Sequence, residues 1–455
     1  MFKILLFKLM LALGLVLCFN FSARAHSSDS ILVPNSTPWS FVSGLTTPEI
    51  EERTLAVLNY YKVIPSQLPE EFLNKINNPR TLAEMQKILK LMDPTGVFQS
   101  LSKVSGNELI VFKDRKVKSN LDFTFELSNS SLSSQKPSDF HGLKIALDPG
   151  HMGGEFWDKV TGKFVKDPKG IVISEGVLNL QICLLLKDQL EKLGATVLLT
   201  RTGLTPVSKL DYKTFDLKPF ARYEILESVH ADWFQKLIAK APVGPKLFAL
   251  FDQSPEIKKL FSERSRSDFF SKRADLWARA DMINKFNADI VLIIHHDTVS
   301  STDGASSGLN PNAPNETKSF VFGSYENAEF GSTASRAYFV RHLVDKESWD
   351  NSVLMSRKIT TRLYNKLGLK LDTSSNIGGR LVEPGIRARN LMLPRILLAQ
   401  NIAYMENLFY NRPAEFNALI EPDYKMIIDG KNFTYSKRHV QIVEALRLGL
   451  EDFLK

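Results

Sequence analysis

The chain of 455 residues holds only 2 cysteines, and that scarcity excludes a disulfide-held scaffold. One of them, Cys18, lies in an N-terminal stretch with the features of a cleaved leader, so Cys183 alone would remain in the mature protein. Long apolar runs are equally scarce. The run from Leu9 to Phe21 is preceded by Lys3 and Lys8 and ends in Ala23-Arg24-Ala25, the order of a secretory signal peptide. It is shorter than the roughly 20 residues that a membrane-spanning helix needs, and no later stretch is continuously apolar for that length. Leu17, before Cys18, is too large for a lipoprotein cleavage site. Residues 1–25 are therefore expected to leave, giving a periplasmic or secreted product with no transmembrane segment. Runs of one charge sign are missing too. The formal charge of +8 falls to about +5 once Lys3, Lys8 and Arg24 are removed. No lysine- or arginine-rich run marks a nucleic-acid partner. Without disulfides the fold must be held by burial, and the length is ample for that.

What is present reads as one or two domains. Ile50, Leu55, Leu58 and Tyr61, then Leu82, Met85, Ile88 and Leu91, recur at helical spacing, and Asp93-Pro94-Thr95-Gly96 ends the pattern with turn chemistry. Short strands are expected at Leu109–Phe112 and Leu121–Leu127. Residues 26–127 are thus expected to form a small accessory domain. Residues 128–140, serine-rich and carrying Pro137, read as a linker. From residue 141 to 455 the grammar alternates strand and helix, the mark of an α/β fold with helices flanking a sheet. Strands are expected at Leu143–Leu147, Thr196–Thr200, Ile290–Ile294 and around Arg395–Leu398; helices are expected at Gly176–Leu193, up to Phe286, at Ser352–Leu367 and at His439–Leu454. Residues 203–272 interrupt this core as a long, mostly helical insertion of the kind that serves as a lid, a binding element or a regulatory segment.

Chemistry concentrates at strand ends. His151 closes Asp148-Pro149-Gly150-His151 directly after the first core strand, where proline and glycine turn the chain and leave the imidazole at the sheet edge. Ligands of α/β folds bind at the carboxyl ends of strands. Glu175 opens the following helix and His295 ends a later strand, so two imidazoles and one carboxylate converge on that edge. Such a set leaves zinc a fourth position for water, whose pKa the ion lowers to about 7. His296 adjoins His295, but neighbours on a strand point to opposite faces, so His296 is expected to be a buried supporting residue. Asp297 reads as a partner for these groups or as a turn residue.

These blocks together resemble the zinc-dependent N-acetylmuramoyl-L-alanine amidases. The likeness rests on Lys144-Ile-Ala-Leu-Asp-Pro-Gly-His151, Glu175 at a helix start, Leu193-Gly-Ala-Thr-Val-Leu-Leu-Thr-Arg201, Arg279–Asn284 and Ala288-Asp-Ile-Val-Leu-Ile-Ile-His295. They occur in the family's order across most of residues 141–420, apart from the insertion. The resemblance implies a twisted mixed sheet flanked by helices, His151, Glu175 and His295 as zinc ligands, and hydrolysis of the amide joining N-acetylmuramic acid to L-alanine in peptidoglycan.

One part of the family pattern does not line up. The family carries a general-base glutamate late in the chain, after a proline and a short apolar strand. Counting forward from Pro394 reaches Ala399, and counting back from Tyr404 and Asn407 reaches Asn401; neither is a carboxylate. Glu406 is the expected replacement base, with Glu383 and Glu155 as weaker substitutes and a helix-start carboxylate as the structural reading of Glu406. A zinc-holding, peptidoglycan-binding or regulatory module with weak or lost turnover is the alternative function. Arg387 and Arg389, with Arg395 nearby, are candidates to pair with stem-peptide carboxylates. The clusters Phe220–Tyr223 and Phe261–Lys272 in the insertion are candidates to cover the zinc cleft or to dock an activator protein.

Overall fold

The computed structural model describes residues 45–63, 76, 78–113, 121–128, 138–299, 308–325, 329–374 and 379–455. The leader expected over residues 1–25 and most of the expected linker lie outside the described residues. Near the N-terminus, β1 (Ser102–Ser105), β2 (Glu108–Phe112) and β3 (Leu121–Glu126) form an antiparallel meander. The core strands then follow as β4 (Lys144–Pro149), a small hairpin of β5 (Phe164–Lys166) and β6 (Val172–Ser174), and β7 (Thr196–Leu199). Beyond the insertion come β8 (Ile290–Asp297), β9 (Glu316–Phe322), β10 (Lys370–Leu371), β11 (Arg380–Glu383), β12 (Ile386–Arg389) and β13 (Asn401–Phe409). A second hairpin, β14 (Tyr424–Ile428) and β15 (Lys431–Tyr435), precedes the terminal helix Lys437–Leu454.

The main sheet is mixed, in the order β11-β12-β9-β13-β8-β4-β7 with β10 beside β9. Strands β7, β4, β8 and β13 run parallel, whereas β9 lies antiparallel to β13. Its centre is the unbroken apolar run Ile290–Ile294, which suits a strand buried on both faces. One face packs Ile145, Leu147, Leu292, Ile294 and Met405 against helices Glu175–Lys192, Lys346–Leu367 and Lys437–Leu454. The other face packs Ala146, Val291, Ile293 and Ile402 against Ile283 of helix Asp275–Phe286 and Phe339, Val340 and Leu343 of helix Thr333–Val344.

Two expectations are corrected here. The accessory domain expected over residues 26–127 has no core of its own among the described residues. Met85, Ile88, Met92, Phe98, Leu109 and Val111 belong to the same apolar cluster as the second face of the sheet. Arg336 of helix Thr333–Val344 pairs with Asp122 of β3 at 2.6 Å, both buried. Further upstream, helix Thr47–Tyr60 places Val57 and Leu58 in a cluster with Ile225, Phe234, Phe251 and Ile257 of the insertion. Secondly, the strand expected around Arg395–Leu398 is the short helix Met392–Ile396, and the strand of that region is β13, starting at Asn401. Pro394 is accommodated because a helix leaves its first N–H groups without intrahelical partners.

The core also buries neutral histidine. His342 stacks on Phe322 at 3.8 Å, donates through Nε2 to the Arg395 carbonyl at 2.9 Å and accepts through Nδ1 from the Ser348 hydroxyl at 2.8 Å. Burial, helped by the Arg341 charge, brings its pKa from 6.5 down to about 3. The unfolded chain takes up this proton below pH 6.5 while the folded chain resists it, so the contribution of His342 is complete above pH 6.5 and falls as pH drops toward 3. The stability difference between wild type and His342→Gln, measured by urea unfolding, is expected to shrink by about 2 kcal/mol between pH 7 and pH 5.

Candidate metal centre

The site begins with a turn that the chain holds from several sides. At the end of β4, Gly150 N donates to Ile294 O at 2.9 Å, which ties the turn to β8. A β-carbon on Gly150 would lie 2.3 Å from the His295 ring, so only glycine lets the two strand ends approach this closely. His151 follows in the left-handed region, φ 58°, a conformation uncommon outside glycine. The turn's carbonyls face two buried guanidinium groups. Arg279 donates to Pro149 O (2.6 Å) and His151 O (2.8 Å) and pairs with Asp148 (2.9 Å) and Asp275 (2.7 Å). Arg201 donates to Pro149 O (3.1 Å), Gly150 O (3.2 Å) and Gly203 O (2.8 Å), and also reaches Gly176 O.

Glu175 is the first residue of its helix, capped by the Ser174 hydroxyl. Gly176 is needed beside it, because a β-carbon there would meet Met152 O at 2.0 Å. The helix start therefore lies directly on the His151 turn. Glu175 is buried and divides its carboxylate between two imidazoles: Oε1 lies 3.1 Å from His295 Nδ1 and Oε2 lies 3.3 Å from His151 Nε2. The two rings stand nearly perpendicular, 4.7 Å apart. One ligand atom from each of the three residues falls within 4.8 Å of the others, a spacing that a single metal ion can bridge. Desolvation brings the pKa of His151 down to about 4, against the opposing pull of Glu175, so the imidazole is neutral and free to ligate at pH 7. Burial alone would raise Glu175, but its interaction with His151, the Lys163 charge and hydrogen bonds from both imidazoles hold it well below the usual carboxylate range. The donor set, two imidazoles and a carboxylate, fits zinc.

His296 points to the opposite face. Its Nδ1 lies 2.7 Å from Asn179 Oδ1, and Asn179 Nδ2 in turn donates to Gly150 O at 3.2 Å. Asp297 pairs at 2.5 Å with the buried ammonium of Lys318 and accepts from Thr298 N at 2.8 Å, so it serves both as a charge partner and as a turn cap.

Glu406 lies inside β13, not at a helix start. In the sheet register it sits between His295 on β8 and Lys318 on β9, on the face that carries His295. Its Oε2 is enclosed without a hydrogen-bond partner among the described residues. Desolvation, then the neighbouring carboxylates Asp297 and Glu175, push its pKa well above the usual range. Two residues earlier, Tyr404 stacks on the His295 ring at 4.6 Å with an interplanar angle of 10°. Counting from Pro394 fails because the count crosses a helix and a loop before the strand begins.

The arginine candidates separate. Arg387 is 1% exposed and engaged by Asp372 at 2.5 Å and by backbone carbonyls of the neighbouring loop, so it is a structural cation and not a substrate contact. Arg389 is exposed, with its guanidinium 5.0 Å from the Phe320 ring centroid. Arg395 is buried at 3% exposure. Of the weaker base candidates, Glu383 is held bidentately by Arg357 (2.6 and 2.7 Å) and Glu155 is exposed and paired with Lys159 at 2.8 Å. The sequence reading gave no role to Asn179, Lys318 or Tyr404. The spacing of Asn179 four residues after Glu175, and a lone lysine in the run Thr317–Phe322, were the available signals.

Solved structures similar to this chain include the CwlD amidase of Clostridioides difficile in complex with the GerS lipoprotein, at 14% identity and a TM-score of 0.37, covering 69% of this chain and 98% of that one. The N-acetylmuramyl-L-alanine amidase Ami1 of Mycobacterium smegmatis is 13% identical with a TM-score of 0.36, over 70% of this chain and 99% of that one. The catalytic domain of CwlV, an N-acetylmuramoyl-L-alanine amidase of Bacillus (Paenibacillus) polymyxa var. colistinus, is 12% identical with a TM-score of 0.33, over 69% and 98%. No family model and no curated protein matches the chain.

Gly150→Ala is expected to displace the His295 imidazole and weaken zinc binding about a hundredfold, read by competition titration, with the far-ultraviolet circular dichroism unchanged.

Proposed function

We propose that this chain is a zinc-dependent amidase that hydrolyses the bond between N-acetylmuramic acid and L-alanine of peptidoglycan stem peptides. The observation that carries this reading is the meeting of His151, Glu175 and His295 within one ion's reach, with Glu406 beside them on the same sheet face. His151, Glu175 and His295 would hold the ion. Zinc there would supply a Lewis acid that brings water to a pKa near 7, polarises the amide carbonyl and offsets the carboxylates that raise Glu406. Glu406, ionised, takes the proton of the attacking water as its oxygen bonds to the lactyl carbonyl carbon. The carbon–nitrogen bond then breaks, and Glu406 returns the proton to the departing alanine nitrogen, leaving a lactyl carboxylate and a stem peptide with a free amino end.

A cleft of about 930 Å³ adjoins the start of the helix that Glu175 opens, although none of His151, Glu175, His295 and Glu406 lines it. It runs between the β5–β6 hairpin, helix Glu155–Thr161 and β15, and Ser174, next to Glu175, lines its wall. Lys166 on its rim offers a cation to a stem-peptide carboxylate. A leader at residues 1–25, as the sequence pattern suggests, would carry the enzyme outside the cytoplasm, where its substrate lies. No helix among the described residues is long and apolar enough to cross a membrane.

The test is digestion of purified peptidoglycan by mature protein, with zinc measured on the same samples. Wild type is expected to release free stem peptides and to carry one zinc per chain. Glu406→Gln is expected to keep the zinc and lose about 10²–10⁴ in turnover, while His151→Ala loses both. A zinc-loaded wild type that releases no peptide at high concentration overturns the amidase reading in favour of a binding module.

A further inference from the structure

Away from the metal centre, the C-terminal end of helix Thr47–Tyr60 meets the insertion in a groove of about 630 Å³. We propose that this groove is a second binding site, for an anionic saccharide: a sugar unit bearing phosphate or carboxylate. Four cations line it, Lys62, Lys218, Arg222 and Lys258, and none forms an ion pair with any described acid. Elsewhere in the same region cations are matched: Arg266 pairs with Glu263 at 2.7 Å, Lys272 with Asp268 at 2.7 Å, and Arg273 with Glu224. Four cations against one described carboxylate, Asp252, leave the groove with an excess of positive charge, and a bound anion relieves that repulsion.

The one acid that lines the groove among the described residues, Asp252, accepts from two tyrosines. Tyr60 and Tyr61 both donate to it, each at 2.6 Å, and the bonds hold two rings upright as a wall. Tyr60 is stacked on Phe248 at 4.4 Å and Tyr61 on Phe261 at 5.9 Å, so the wall has an aromatic backing. Aromatic side chains with a polar tip suit the apolar face and hydroxyls of a sugar, and the surrounding cations suit its charged substituent. Lys62 itself sits at φ 54°, at the end of a helix where glycine is usual. Its N–H reaches Asn59 O at 3.0 Å and the Val63 N–H reaches Leu58 O at 2.8 Å, so a closed helix terminus presents the ammonium to the groove. The site shares no residue with the metal centre, and the inference does not rest on the amidase reading.

The experiment is calorimetric titration of the mature, zinc-loaded protein with N-acetylglucosamine 1-phosphate, N-acetylglucosamine and inorganic phosphate. The sugar phosphate is expected to bind saturably, with neutral sugar and phosphate each about tenfold weaker or more. The triple variant Lys62→Ala, Arg222→Ala, Lys258→Ala is expected to bind the sugar phosphate about tenfold more weakly while its circular dichroism and thermal unfolding stay unchanged. Tyr60→Ala, read separately, is expected to bring the sugar phosphate's affinity down to that of phosphate alone. Any of three results overturns the proposal: no saturable binding, equal affinity in the triple variant, or phosphate binding as tightly as the sugar phosphate. Tighter binding of a single-stranded oligothymidine than of the sugar phosphate overturns it as well.

Discussion

The turn from Asp148 to His151 depends on two arginines that never reach solvent. Arg279 closes a buried pair with Asp148 and Asp275 and spends its remaining donors on the carbonyls of Pro149 and His151. Arg201 takes up the carbonyls of Pro149 and Gly150 from the other side. Taking a guanidinium out of water is unfavourable unless its donors are met, and stranding its partner typically costs about 3–5 kcal/mol. That penalty locks the turn into one geometry, including the left-handed φ of His151. Because Arg201 follows β7 and Arg279 belongs to helix Asp275–Phe286, the imidazole is positioned by elements far apart in sequence.

Around that fixed point the acids have different fates. Glu175 is offset by two imidazoles and Asp297 by Lys318, whereas Glu406 faces both carboxylates and is held well toward its protonated form. A cluster with more carboxylates than cations is the electrostatic environment that a divalent ion would complete. The register of β9 against β13 places the Lys318 ammonium among these groups, where it pairs with Asp297.

Legibility followed the range of the interaction. The run Ile290–Ile294, the Pro-Gly turn before His151 and the helix opened by Ser174 and Glu175 are local patterns, and their positions were readable to within a few residues. The apolar stretch Arg395–Leu398 was not, because periodicity cannot separate strand from helix over four residues. Arg387 read as a candidate substrate contact since its partner Asp372 sits 15 residues upstream, and only the fold brings the two together. The accessory domain failed for the same reason. Its decisive contacts are Asp122 with Arg336, 214 residues apart, and methionines and phenylalanines whose partners lie on the far side of the chain.

The insertion shows how those long-range contacts bear on function. Phe215, Phe220, Phe269 and Phe270 form one buried cluster with Met152, the residue after His151. Trp157 stacks on Phe270 at 5.5 Å with an interplanar angle of 11°, which ties the cluster to helix Glu155–Thr161 at the mouth of the cleft. A lid must part from the surface it covers, and parting here would expose several aromatic side chains at about 25 cal/mol per Å² of apolar area. On the other flank, Val57 and Leu58 of the N-terminal helix lock into Ile225, Phe234 and Phe251. With both sides anchored by burial, the segment is a packed wall beside the His151 turn. The β5–β6 and β14–β15 hairpins that line the cleft are smaller, each of only two strands, and two-stranded hairpins have marginal stability of their own.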